Sequence, residues 1–220
     1  MNARKPTFTI AGIALGIVLG IPVAAGASDS RDCARVAIAP RVSFECDTDA
    51  TELSSDRGFA KIVLRDGGGC VEVLYGATYS AHVNYRIGGK TIDGDSPTAL
   101  LRALAEQDAD RYDKRARFAG HRKVRTRSGG STYFTIVDAV ASPSQLRVPA
   151  RAGLPGLDTA GQGFLEECRD GDGVRIKVYH AVIRNRRKTA TVHLTIRTTA
   201  EAHARTACLI RRVLATIEAG

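Results

Sequence analysis

The stretch GVRIKVYHAVIRNRRKTATVHLTIRTTAEAHARTACLIRRVLATI, residues 173–217, decides the fold. In residues 173–184 the apolar side chains Val174, Ile176, Val178 and Val182 fall on alternate positions, and in residues 189–198 Ala190, Val192, Leu194 and Ile196 do the same. A repeat of two is the period of a half-buried strand, whose successive side chains point to opposite faces. Residues 185–188 are then a turn. Thr198 followed by Glu201 reads as a capping box, and beyond it Ala207, Ile210, Val213, Leu214 and Ile217 recur at helical spacing as one apolar stripe. Strand, turn, strand and helix follow one another, and the helix covers one face of an antiparallel hairpin. The class is α+β: an antiparallel sheet with helices packed on it.

Working outward, Ser96 is placed as a helix N-cap with Pro97 at the first helical position. Leu100, Leu101, Leu104, Ala105, Tyr112 and Ala116 give this helix an apolar face that Asp108 interrupts, and Gly120 is its natural stop. Residues 59–65 and 70–75 are apolar, β-branched runs around Asp66-Gly67-Gly68-Gly69, a hairpin signal. That turn is no phosphate loop, because a second strand opens at Cys70 where a lysine, a hydroxyl and a helix would be needed. Residues 41–46 read as a first strand, 28–40 as a lead-in, and 78–92 as a further short strand or an extended connection. Two more strands, 121–127 and 131–140, surround Gly129-Gly130. Residues 141–172, with Pro143, Pro149 and Pro155, form a long loop and a candidate binding lid. The acidic residues 47–56 fail as a calcium loop, since Glu52 replaces the turn glycine and Gly58 the final bidentate glutamate; a solvated loop is the reading.

This order of elements resembles the PsbP-like fold of photosystem extrinsic proteins, the Ran-binding Mog proteins and exported bacterial relatives of the DcrB and LpqN types. The resemblance covers residues 41–217. It is carried by the Ser96-Pro97 helix start, the Gly129-Gly130 turn after a basic strand, and the terminal stretch quoted above. It implies an α/β/α sandwich that acts by binding, usually to proteins, with no family-wide active site.

The amino end reads as a secretory signal: Arg4 and Lys5 precede an apolar run, residues 8–26, and Ala25-Gly26-Ala27 is a small-residue cleavage site. Cleavage after Ala27 leaves a single domain, residues 28–220, in the periplasm or outside the cell. The formal charge of +9 falls to +7 once Arg4 and Lys5 are removed. In an oxidising compartment the five cysteines, Cys33, Cys46, Cys70, Cys168 and Cys208, are expected as two bridges and one thiol. None has C-x-x-C spacing. If the terminal hairpin is antiparallel, the loop before residue 173 lies near the start of the last helix, which predicts a Cys168–Cys208 bridge.

No catalytic constellation stands out. Gly-x-Ser-x-Gly is absent, and Asp170 and Asp172 lie in a glycine-rich turn. His180 and His193 invite a zinc hypothesis, but if the apolar sets of the two strands share a face the paired positions sum to an even number, and the two histidines then point to opposite faces. His180 is instead expected as a histidine of the core face. The chain is therefore expected to be a non-enzymatic binder without metal or cofactor.

Positive charge is the one unusual feature. Between Arg111 and Arg127 stand eight lysines or arginines against a single acid, Asp113, and the turn Arg184-Asn185-Arg186-Arg187-Lys188 adds four more. Arg115, Arg117, Arg122, Lys123, Arg125 and Arg127, with Arg184, Arg186, Arg187 and Lys188, are the candidate binding residues. Such a surface attracts an anionic partner. An acidic protein surface leads, with an immunity or accessory role in an envelope or secretion system; anionic envelope lipid or polymer is the alternative, and an enzyme ranks third. Sparse aromatic residues disfavour nucleic acid.

Overall fold

β-branched residues hold most positions of the last two long strands, where their restricted χ1 angles suit a pleated, packed surface. In the computed structural model these strands are the centre of the molecule. The structure describes residues 35–46, 50–56, 58–64, 69–112, 120–142, 145 and 174–220, all within the unit Arg31–Gly220. The expected signal segment, the first part of the lead-in and most of the long loop lie outside the described residues.

Seven antiparallel strands form the main sheet: β3 (Ala50–Asp56), β4 (Phe59–Leu64), β5 (Cys70–Ser80), β11 (Ala190–Thr199), β10 (Val174–Arg184), β9 (Ser131–Ala141) and β8 (Arg122–Arg125), in that spatial order. A small sheet joins β1 (Arg35–Ala39), β2 (Val42–Glu45) and the terminal β12 (Glu218–Ala219), and β6 (Asn84–Ile87) pairs with β7 (Lys90–Asp93). Helix α1 spans Pro97–Tyr112 and α2 spans His203–Thr216. As expected, Ser96 caps α1, its Oγ accepting from the Ala99 amide at 3.3 Å.

The helices cover opposite faces of the main sheet. On one face, Phe44 and Ile38 of the small sheet and Leu209, Ile210, Val213 and Leu214 of α2 enclose Val71, Val73, Leu194, Ile196 and Tyr179. On the other, Ala105 and Ala109 of α1 lie against Val137, Ala139, Val174, Ile176 and Val178. Small side chains on α1 let the helix approach the sheet closely. Its first half rests on the β6–β7 hairpin, through Leu100, Ala103 and Ile87.

Three expectations are corrected. Residues 50–56 form edge strand β3, where a loop was expected. The capping box does not form: Thr198 is buried and donates to the Cys70 carbonyl, Glu201 faces Arg175, and Thr199 Oγ1 accepts from the Ala202 amide instead. The third concerns register. Val182 lies opposite His193 and His180 opposite Thr195, so paired positions sum to an odd number. The parity argument assumed one buried face, but β10 is buried continuously from Val178 to Ile183 because both faces are covered. His180 and His193 consequently share a face.

Candidate binding surface and a buried polar network

Antiparallel pairing gathers the basic turns at one end of the sheet. Thr132 at the start of β9 pairs with Ile183 near the end of β10, so the β8–β9 turn and the β10–β11 turn are neighbours. Between them opens a cleft of about 420 Å³, lined by Thr126, Ser128, Gly130, Arg184, Arg186 and Lys188 among others. A second cleft, also about 420 Å³, is lined by Arg35, Arg41, Arg186 and Glu218. Arg186 borders both.

The sequence-predicted cations divide into two groups. Arg127 and Arg184 hold the hairpins down, through Glu45 at 2.6 Å and Asp95 at 2.5 Å. Arg122, Lys123, Arg125, Arg186, Arg187 and Lys188 are exposed and have no ion-pair partner among the described residues. Lys123 stands 5.5 Å from the centroid of the Tyr133 ring, a cation–π contact. Arg115 and Arg117 lie outside the described residues. So does Cys168. Cys208 is a free, exposed thiol on α2, so the expected Cys168–Cys208 bridge is not formed, while Cys70 is disulfide-bonded to a partner outside the described residues. Position 208 explains this: it falls on the solvent side of the stripe Leu209, Ile210, Val213 and Leu214 that turns α2 toward the sheet.

Under α1 lies a polar network that sequence reasoning missed. Glu72 of β5 and Arg197 of β11 form an ion pair at 2.5 Å, with 0% and 2% of the residues exposed. Arg197 also hydrogen-bonds Tyr112 of α1, and the Gln145 side chain donates to the Arg111 carbonyl at the end of that helix. One turn back, Asp108 Oδ2 faces His180 Nε2 at 3.4 Å. His180 Nδ1 in turn lies 3.2 Å from His193 Nε2, the two rings stacked 12° from parallel.

Each titration shift has a physical source. Burial raises the Asp108 carboxyl, but His180, Arg111 and Arg197 outweigh it and hold the group below its ordinary 3.8. Burial raises the Tyr112 phenol. For Arg197 burial opposes the charge, and the Glu72 carboxylate beside it wins, so the guanidinium is held above its usual range. Chemically the network fixes three strands to one helix through charged and imidazole hydrogen bonds. Among the described residues no group of three histidine, cysteine or acidic side chains is placed to hold a metal ion. The sequence signal for this network was Asp108, the one charge inside an apolar helix face.

No protein-family model matches the chain, and no curated protein matches it.

Proposed function

We propose that this chain is an exported, non-enzymatic binding protein that engages an acidic protein partner through the basic end of its main sheet, with no metal or cofactor. One observation carries the reading: the six cations named above are exposed without ion-pair partners among the described residues, whereas the neighbouring acids Glu45 and Asp95 are already engaged by Arg127 and Arg184. A surface left with surplus positive charge raises the encounter rate with a negatively charged partner and sets the orientation of docking. The cations stand on a strand and tight hairpin turns, so little ordering is lost on binding. Helices on opposite faces of the sheet support a PsbP-like α/β/α sandwich, and an immunity or accessory role in an envelope or secretion system suits an exported binder.

The test is capture from an envelope extract with the wild type and with a variant carrying Arg122→Glu, Lys123→Glu and Arg125→Glu. A protein that is retained at physiological salt by the wild type and lost by the variant supports the reading. Anionic vesicles offered in parallel report on lipid, whose binding to separated surface charges collapses between low and physiological salt. Vesicle binding without protein capture would replace the protein partner with a lipid surface.

A further inference from the structure

Only three non-glycine residues among those described have a left-handed backbone, and two of them, Arg41 at φ 65° and Lys188 at φ 56°, line the clefts at the basic end. The third, His82, has a local reason for its conformation: its amide and ring both bond Asp95, at 3.0 and 2.6 Å. Neither Arg41 nor Lys188 has an acidic partner among the described residues; the Lys188 carbonyl accepts from Arg184 Nη2 at 3.2 Å and the Arg41 carbonyl from the Gly220 amide at 2.9 Å.

Two neighbouring turns make the comparison direct. In the β8–β9 turn the Gly129 amide donates to the Thr126 carbonyl at 3.0 Å, and Gly129 takes φ 85°. In the β10–β11 turn the Lys188 amide donates to the Asn185 carbonyl at 3.0 Å, and Lys188 occupies the same left-handed position. One turn fills that position with glycine, which adopts it freely; the other fills it with a lysine, whose β carbon crowds the following carbonyl. Arg41 follows Pro40 in a two-residue connection between β1 and β2, where a turn with proline first and a left-handed second residue favours glycine or asparagine. At both places a cation stands where the backbone prefers something else. Residues held against their backbone preference cluster at ligand sites.

The clefts give these charges a common object. Arg41 and Arg186 border one, Lys188 and Arg186 the other, and Glu218 at their shared wall faces Arg35 in an ion pair. Guanidinium groups match carboxylates as paired donors, and an ammonium adds a point charge of variable direction. We propose that the two clefts receive acidic side chains of one extended segment of the partner, with Arg186 between them and Arg41 and Lys188 as the outer clamps. This inference rests on the binding reading above and adds to it the form of ligand: a run of aspartates or glutamates in an exposed strand or tail.

The experiment titrates a fluorescein-labelled hexaglutamate peptide into wild-type protein, Arg186→Ala, Lys188→Gly and Arg41→Gly, at physiological salt, with melting temperature measured on every sample. Arg186→Ala should weaken binding about tenfold, the cost of one charge-assisted hydrogen bond. Lys188→Gly and Arg41→Gly should each weaken it several-fold while raising the melting temperature, since glycine relieves the left-handed backbone. A purely structural role for the two residues moves only the melting temperature, so unchanged peptide affinity in both glycine variants overturns the proposal. Tight binding of inorganic polyphosphate with none of hexaglutamate overturns it as well. If Arg186→Ala and the glycine variants keep the captured partner while the β8 triple variant loses it, the clefts are not the site, and the binding reading stands without them.

Discussion

Gly76 and His193 approach each other so closely that a β carbon at position 76 would lie 2.2 Å from His193 Nδ1. Gly76 is the extra residue of a bulge in β5, between the pairs His193 with Ala77 and Leu194 with Tyr75. The missing side chain makes the room in which the His193 ring turns toward His180. Gly76→Ala should therefore displace the imidazole and lower stability by about 1–3 kcal/mol, the usual range for an overfilled interior. Urea unfolding followed by circular dichroism measures it, and a cost below about 0.5 kcal/mol would mean that the bulge closes without touching the histidines.

Asp108→Asn tests the helix anchor and fixes a pH dependence. The carboxyl is held below 3.8 in the folded state, so its contribution is complete above that value and is lost as pH falls through the lower folded value. At neutral pH the variant should be less stable by about 1.5–3 kcal/mol, the range for hydrogen bonds to charged groups. The gap between variant and wild type should narrow below about pH 3.8. A gap that stays constant to pH 2 would show that Asp108 does not act through its charge.

Arg197→Met leaves the Glu72 carboxylate buried beside an apolar side chain. Removing one partner of a buried pair costs about 3–5 kcal/mol, whereas replacing both by apolar residues is often close to neutral. The double variant Glu72→Met with Arg197→Met should accordingly be more stable than Arg197→Met alone. Equal stability of the two would indicate that the remaining carboxylate is satisfied elsewhere.

Cysteine chemistry follows exposure. In folded, unreduced protein Cys208 should react with iodoacetamide, and peptide mapping without reduction should recover Cys70 joined to Cys33 or Cys168. Recovery of Cys168 joined to Cys208 would contradict the outward position of Cys208 on α2.

On the proposed export, intact-mass measurement of protein recovered from the envelope or medium should show a chain beginning at Ser28. Retention of Met1 would replace an exported soluble domain with one anchored at its amino end.

The terminal hairpin and helix were legible because their periods survive in the side chains, and Ser96-Pro97 marked the start of α1 for a local reason. Strand β3 was not legible. Apart from Ala50 and Leu53 its residues ATELSSD are polar, and what makes them a strand is backbone pairing with β4 from Ala50 to Asp56, which leaves no apolar alternation at a sheet edge. The register of β10 and β11 escaped for the opposite reason. β10 is apolar at odd and even positions alike, and its even set, Val174, Ile176 and Val178, faces α1 while the even set of β11, Val192, Leu194 and Ile196, faces α2, so matching the two apolar sets to one face gives the wrong parity. The cations of the candidate binding surface could be read from charge density, but the placing of Arg41 beside Arg186 depends on how two turns far apart in sequence meet at one end of two sheets. Asp108 was visible as an interruption of a helix face; that it faces His180 depends on the packing of α1 against β10.

The edge strand β8, only four residues with Arg122, Lys123 and Arg125 exposed, has a colloidal consequence. An antiparallel sheet offers unpaired amides and carbonyls along its outer strand, and an uncharged edge is a template for pairing with another molecule. Like charges in such density keep two β8 edges from meeting. If the proposed acidic partner neutralises them, this repulsion goes at the moment of binding, and such a complex, unlike the free protein, must cover the edge sterically to remain dispersed.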